Sequence, residues 1–288
     1  METFALPHSV TGARFESPAA FAAFLTREAA PSPYLSRDDR DDWAGADAAA
    51  TVARAAAGNP ALTSVCDRLL AKMETATDFA TARHVTVAAV AGGVPCVPAY
   101  LAGSPLSMRR RVRVLDEAAP LAVVVDMGVS ASVQHPTIQR RGAAALALVR
   151  LLAAVRPVSL WVVSGQQISR YSDRAADAAF GVRLDTAPLD VARAAWLLCA
   201  PEAFRRAAFA ACQTIGGDVA GRDVNWLHND YKRHPDLLRD CLPALTGQTD
   251  FLLVPSLITA GETQFDNDSA ALDWVAAQLA QHGGGAGA

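Results

Sequence analysis

The stretch "PLAVVVDMGVSASVQHPTIQRRGAAALALVRLLAAVRPVSLWVV", residues 120–163, decides the fold. Its apolar run Leu121 to Val125 is too short for a helix and ends on a single carboxylate, Asp126. Continuous apolar character without alternation is the pattern of a strand buried on both faces. The following "HPTIQRRGAAALALVRLLAAVRP" carries one proline in its first turn and another as a stop, which predicts one long helix. "VSLWVVSG" then repeats the buried-strand pattern. Strand, long helix, strand predicts a right-handed crossover between parallel strands, and with it an α/β fold.

The flanking segments extend this plan on both sides. Downstream, "DAAFGVRLD" predicts a weaker strand and "PLDVARAAWLLCAPEAFRRAAFAACQTI" two helices broken at Pro201. "DFLLVPSL" predicts a further buried strand, and "NDSAALDWVAAQLAQH" a capped final helix. Upstream, residues 1 to about 80 read as short helices and loops. "RHVTVAAVAG" predicts a strand stopped at Gly92-Gly93, "GGVPCVPAYLAGSPLSM" is too rich in proline and glycine for regular structure, and "RRRVRVL" returns to extended backbone. The expectation is a helical and extended region, residues 1–115, packed on an α/β domain, residues 116–288.

Composition sets outer limits on function. The chain has 288 residues, 51% hydrophobic and 19% charged, with a net charge of −3, so no global field draws it to nucleic acid or an anionic membrane. A nucleic-acid partner would have to be met by a local patch. No apolar run reaches the length of a membrane span, and the N-terminus lacks a basic region followed by an apolar one, so neither a membrane partner nor a secretory signal is expected. Five scattered cysteines without a CxxC pair are expected to be reduced thiols.

Three readings compete for the loop "DMGVSAS", residues 126–132, which follows the first buried strand where open α/β sheets hold their ligands. In the first it is similar to the metal-ion-dependent adhesion site of von Willebrand factor A domains, an Asp-x-Ser-x-Ser loop completed by a distant threonine. Asp126, Ser130 and Ser132 would then ligate Mg²⁺ with Thr186 of "DTAPLDVARAAW", although Gly128 stands where the middle serine belongs. In the second it is the phosphate loop of actin-like ATPases, Asp-x-Gly-x-Ser, which Pro136 disfavours by starting a helix ten residues after the aspartate. In the third, aspartate and serines only satisfy local backbone amides.

Other chemistry is sparse. In "SMRRRVRV" alternate side chains share a face, so Arg109, Arg111 and Arg113 would line one side of a strand and Arg110 the other, spaced to follow phosphates. The alternative is a solvated strand paired with nearby acids, and no aromatic platform lies beside the arginines. His228, Asp230 and His234 form a weak zinc pattern, and His135 a lone base near Asp126. Walker, nucleophile-elbow and zincin motifs are absent.

Five segments, "DDWAGADAAATVARAAAG", "GGVPCVPAYLAGSPLSMRRR", "LAVVVDMGVSASV", "LALVRLLAAVRPVSLWVV" and "PLDVARAAWLLCAPEAFRRAAFA", together resemble a protein family of tailed bacteriophages and related prophages, over roughly residues 15–215. The resemblance implies a von Willebrand A-like, Rossmann-like core with a degenerate adhesion site, in a protein of the infected host's cytoplasm. The expected function is a non-enzymatic interaction protein that docks a macromolecule through the loops at Asp126, Ser130 and Thr186, with or without Mg²⁺. The alternatives are single-stranded nucleic-acid binding through Arg109, Arg110, Arg111 and Arg113, and a metal-dependent hydrolase centred on Asp126.

Overall fold

A computed structural model describes residues 2–36, 41–76, 84–113, 120–168, 176–186, 188–217, 224–226, 237–257 and 263–282. The chain opens with strands β1 (Glu2–Ala5) and β2 (Thr11–Phe15), then helices α1 (Pro18–Arg27), α2 (Pro33–Ser36), α3 (Asp41–Ala44), α4 (Ala48–Ala57) and α5 (Pro60–Ala76). A small sheet follows, made of β3 (His84–Ala89), β4 (Val94–Pro95), the short helix α6 (Val97–Leu101) and β5 (Met108–Arg113). The remainder runs β6 (Leu121–Asp126), α7 (His135–Leu152), β7 (Val158–Ile168), β8 (Ala176–Leu184) and α8 (Val191–Cys199). A π-helical segment, Ala203–Ala208, then leads into α9 (Phe209–Ile215), followed by β9 (Val224–Trp226), α10 (Leu237–Thr246), β10 (Phe251–Val254) and α11 (Asp268–His282).

The main sheet has the order β1-β2-β8-β7-β6-β10, with β9 also on β7. The expected crossover is present: β6 and β7 are parallel, Leu121 opposite Val158 and Asp126 opposite Val163. β10 is parallel to β6 on its other side, whereas β8 runs antiparallel to β7. The fold is therefore α/β with a mixed sheet. Residues before 116 do more than pack on it, since β2 pairs in parallel with β8 and extends the sheet by two strands.

Side chains of β6 divide by the period of two that pleating imposes. Leu121, Val123 and Val125 enter the larger core with Leu160, Val162, Phe180 and Val182, under α7, α8 and α9. Ala122 and Val124 enter the smaller one with Trp161, Val163 and, from α10, Leu238, Leu242 and Leu245. Each fully buried valine or leucine contributes roughly 1.5–3 kcal/mol, so an apolar strand covered on both faces is strongly fixed in place. Helices α7 and α8 meet at Gly142, where an added Cβ would come 2.3 Å from the Leu198 carbonyl oxygen and 2.5 Å from Cys199 Sγ. A glycine is needed there because any side chain would push the helices apart. Cys66 and Cys199, facing each other from α5 and α8 with their Sγ atoms 3.6 Å apart, are free thiols, as are the other three cysteines.

Candidate functional site

The Asp126 loop lies where the sequence places it, at the carboxyl end of β6, but it is closed. Asp126 is 4% exposed, and its Oδ1 accepts from the backbone N–H of Gly128 at 2.8 Å, an aspartate holding its own turn. The buried guanidinium of Arg141, nearly two turns into α7, donates to the carbonyl oxygens of Asp126 at 2.9 Å and Gly128 at 3.2 Å. Leu257, just after β10, donates its N–H to the Gly128 carbonyl and accepts from the N–H of Ser130. β9 closes the same end of the sheet. It pairs with Gln166 to Ile168 of β7, on the edge that β6 occupies only up to Val163.

A second buried arginine ties this loop to the N-terminal region. Arg205, in the π-helical segment, donates to the carbonyl oxygens of Trp43 and Val133, reaches that of Ser130 at 3.4 Å, and stacks over the Trp43 ring at 4.9 Å. Its neighbour Arg206 donates to the carbonyls of Ala46 and Tyr34. A π turn adds a residue to the helical repeat, so two consecutive arginines reach acceptors on the same side, at Tyr34, Trp43 and Ala46. Burial pulls the Arg205 pKa down, though an arginine retains its charge. Guanidinium groups with several donors suit such work because each satisfies carbonyls that would otherwise be orphaned in the interior.

Only part of the expected Mg²⁺ site is assembled. Ser130 and Ser132 stand together, their hydroxyl oxygens 3.1 Å apart. Thr186 is elsewhere: its hydroxyl donates to the carbonyl of Val158, at the start of β7, whereas Asp126 is level with Val163. Five residues of strand separate the two levels, about 17 Å, and ligands of one cation must lie within about 5 Å of each other. The expectation of Thr186 as a partner of Asp126 is thus corrected, and the cause is the antiparallel course of β8, which delivers Thr186 to the opposite end of the sheet. With Arg141 already on the loop carbonyls, the residues present do not fit a divalent cation. Nor do they fit a docking surface through Asp126, which is buried. The hydrolase arrangement is no better supplied, because the His135 ring faces the Trp43 carbonyl at 3.5 Å, and among the described residues no cluster of three histidines, cysteines or acids could hold a metal. His228, Asp230 and His234 lie outside the described residues.

The arginine strand has the opposite character. β5 is the central strand of the small sheet, antiparallel to β3 with Arg109 opposite Ala88, Arg110 opposite Val87 and Arg111 opposite Thr86. Opposed residues share a face, so Arg109 and Arg111 lie with Thr86, Ala88 and Val94, and Arg110 lies with Val87, Ala89, Met108 and Pro95. Arg113 pairs with His84 in the same register. No residue from 86 to 111 is buried. Among the described residues every large hydrophobic side chain that is exposed belongs to this arm: Val87, Val90, Val94, Val97, Tyr100, Leu101 and Leu106. Tyr100 is 72% and Leu101 78% exposed, side by side on α6. Folded chains rarely leave so many apolar groups together in water unless something covers them.

Charge is segregated in the same way. Residues 84–113 hold four arginines and none of the chain's 29 acids, so the arm carries +4 while the rest of the chain carries −7. The arm also holds the one cysteine whose thiol pKa is lowered, Cys96, through a hydrogen bond from the Ala99 backbone and the nearby Arg109. Sequence reasoning found the arginines and missed the apolar half of this surface, because a Pro/Gly-rich segment reads as a loop. The signal was available in its tyrosine, leucines and valines, which a solvated loop has no use for.

No helix among the described residues is long and apolar enough to cross a membrane. No curated protein and no solved structure matches the chain. Residues 7–234 match a family described as a domain of unknown function, DUF7192. That span takes in the main-sheet strands β2 and β6 to β9, the arginine clamps and the whole arm, and the chain belongs to the DUF7192 family.

Proposed function

We propose that this is a non-enzymatic interaction protein whose docking element is the arm, residues 84–113, carried on a rigid α/β body. The observation that carries the reading is the unburied run of residues 86–111, with exposed valines, Tyr100 and Leu101. A three-stranded sheet needs a covered hydrophobic face for stability, and among the described residues nothing buries a side chain between 86 and 111. Exposed aromatic, aliphatic and arginine side chains in one place are the composition of interface hot spots. A protein partner with an acidic rim suits it best. The core from residue 116 onward reads as von Willebrand A-like, supported by its order of strand, helix, strand, strand, helix and by β10 returning beside β6. The resemblance described above makes it a phage-encoded protein acting in the cytoplasm of the infected host.

Photo-crosslinking from two positions tests this proposal. A photoreactive residue replacing Tyr100 is expected to give discrete adducts with a partner protein, and one replacing the exposed Ser132 of the Asp126 loop is expected to give none. Adducts from position 132 alone would return the docking site to the strand ends.

Exposed Arg109 and Arg111 on one face of an acid-free arm, with Arg110 on the other, support a second reading, single-stranded nucleic-acid binding by the arm. Three or four phosphate contacts would give a log–log salt slope of about −2 to −3 with a labelled oligonucleotide, and a flat response would exclude it.

A further inference from the structure

We infer that the arm docks on the acidic body of a second copy of this chain, head to tail; this rests on the reading of the arm as the docking element. Three features of the molecule lead there. The first is area. Seven exposed hydrophobic side chains at roughly 100 Å² each offer about 700 Å² over the two faces of the arm, so a partner that embraces both faces can cover close to the ~800 Å² that each side contributes to a standard interface. The second is charge. An arm with four arginines and no acid is complemented in charge by the remaining 258 residues of this same chain, at −7.

The third is geometry. A symmetric contact between two arms would gather eight arginines without one carboxylate, so the self-complementary arrangement is the unfavourable one. The heterologous contact avoids this and leaves each copy with one used and one free surface, which generates a ring or an open chain instead of a closed dimer. β3 adds to the attraction of the arm. It is an edge strand, "HVTVAA", with neither a lysine, an acid nor a proline to guard it, and its pairing with β5 is an unbroken six-residue register.

Sedimentation velocity of the purified full chain, across a wide concentration range and at low and high salt, tests the inference. The expected result is growth beyond dimer with concentration and its reversal by salt. Arg109→Glu combined with Arg111→Glu, and separately Tyr100→Asp combined with Leu101→Asp, are each expected to raise the dissociation constant at least about tenfold. All four positions are exposed, so these variants should fold and match the wild type in far-UV circular dichroism.

Mixing distinguishes the two modes of contact. A labelled arm variant keeps an intact body, so it should co-sediment with wild-type chains and shorten their assemblies; failure to co-sediment would overturn the head-to-tail arrangement. A wild type that is monomeric at every concentration would also overturn the inference. If its position-100 cross-link then captures a different protein, the docking reading stands with another occupant. If it instead binds a labelled oligonucleotide, the arm belongs to nucleic acid. Assembly that survives both arm variants would overturn the inference and the docking reading together.

Discussion

Replacing Arg205 by leucine is expected to cost about 4 kcal/mol of folding stability. The side chain is 2% exposed and makes two firm hydrogen bonds, to the carbonyls of Trp43 and Val133, with a longer third to Ser130. Bonds from a charged donor contribute about 1.5–3 kcal/mol each, and a desolvated guanidinium over a tryptophan about 2. Against these stand the relief of a buried charge and the retained packing of an apolar stem, which together offset some 2–3 kcal/mol. The remainder agrees with the 3–5 kcal/mol typical of losing one member of a buried charged network. Since a domain of this kind is stable by only about 5–15 kcal/mol, the effect should be plain in urea denaturation followed by tryptophan fluorescence. Arg205→Lys should recover less than half of the loss, because one ammonium cannot serve carbonyls on two segments. A loss below about 1 kcal/mol in Arg205→Leu would refute the view that this residue clamps residue 43 to the Asp126 loop.

Further outcomes follow from the same structure. Asp126→Ala should cost about 1–2 kcal/mol through the lost turn bond to Gly128, and added Mg²⁺ should leave the Tm of both proteins unchanged; a rise in the wild type alone would restore the cation site. Gly142→Ala should destabilise by roughly 1–3 kcal/mol, because its methyl would meet the Leu198 carbonyl, and a neutral result in thermal denaturation would show that the helices can separate freely. Under native conditions a thiol reagent should label Cys96 first and leave the four buried cysteines unmodified, as peptide mapping would report. Burial pushes the Cys241 thiol up to about 11 and raises Cys212 further; Cys199 is raised by its hydrogen bond with Cys66 and by burial. The folded protein then holds more protons than the unfolded chain above the ordinary thiol range. Their contribution to stability is complete below about pH 8.5 and falls as pH climbs through the folded values, so urea midpoints should decline over that interval.

The parts of this fold legible in the sequence are those whose physics is local. β6, α7, β7 and β10 announce themselves because strands buried on both faces are continuously apolar and a long helix needs a start and a stop signal. β1 and β2 do not, since they are short and interrupted by Pro7, and β2 is held in the sheet by β8, more than 160 residues away. Motif and element order place Thr186 near Asp126, and neither carries information on whether β8 runs up or down beside β7. Arg141 and Arg205 are not marked out by the sequence. Their acceptors are backbone carbonyls of remote loops, to which no residue type gives a clue. The arm was half legible: alternation predicted β3 and β5, but exposure is a property of the whole chain.

Amide hydrogen exchange, compared between the free chain and the assembled or partner-bound state, tests the central claim most directly. Slowed exchange is expected across residues 84–113, with the already protected amides of residues 126–130 unchanged. Slowing confined to the Asp126 loop, with the arm exchanging equally fast in both states, would contradict it.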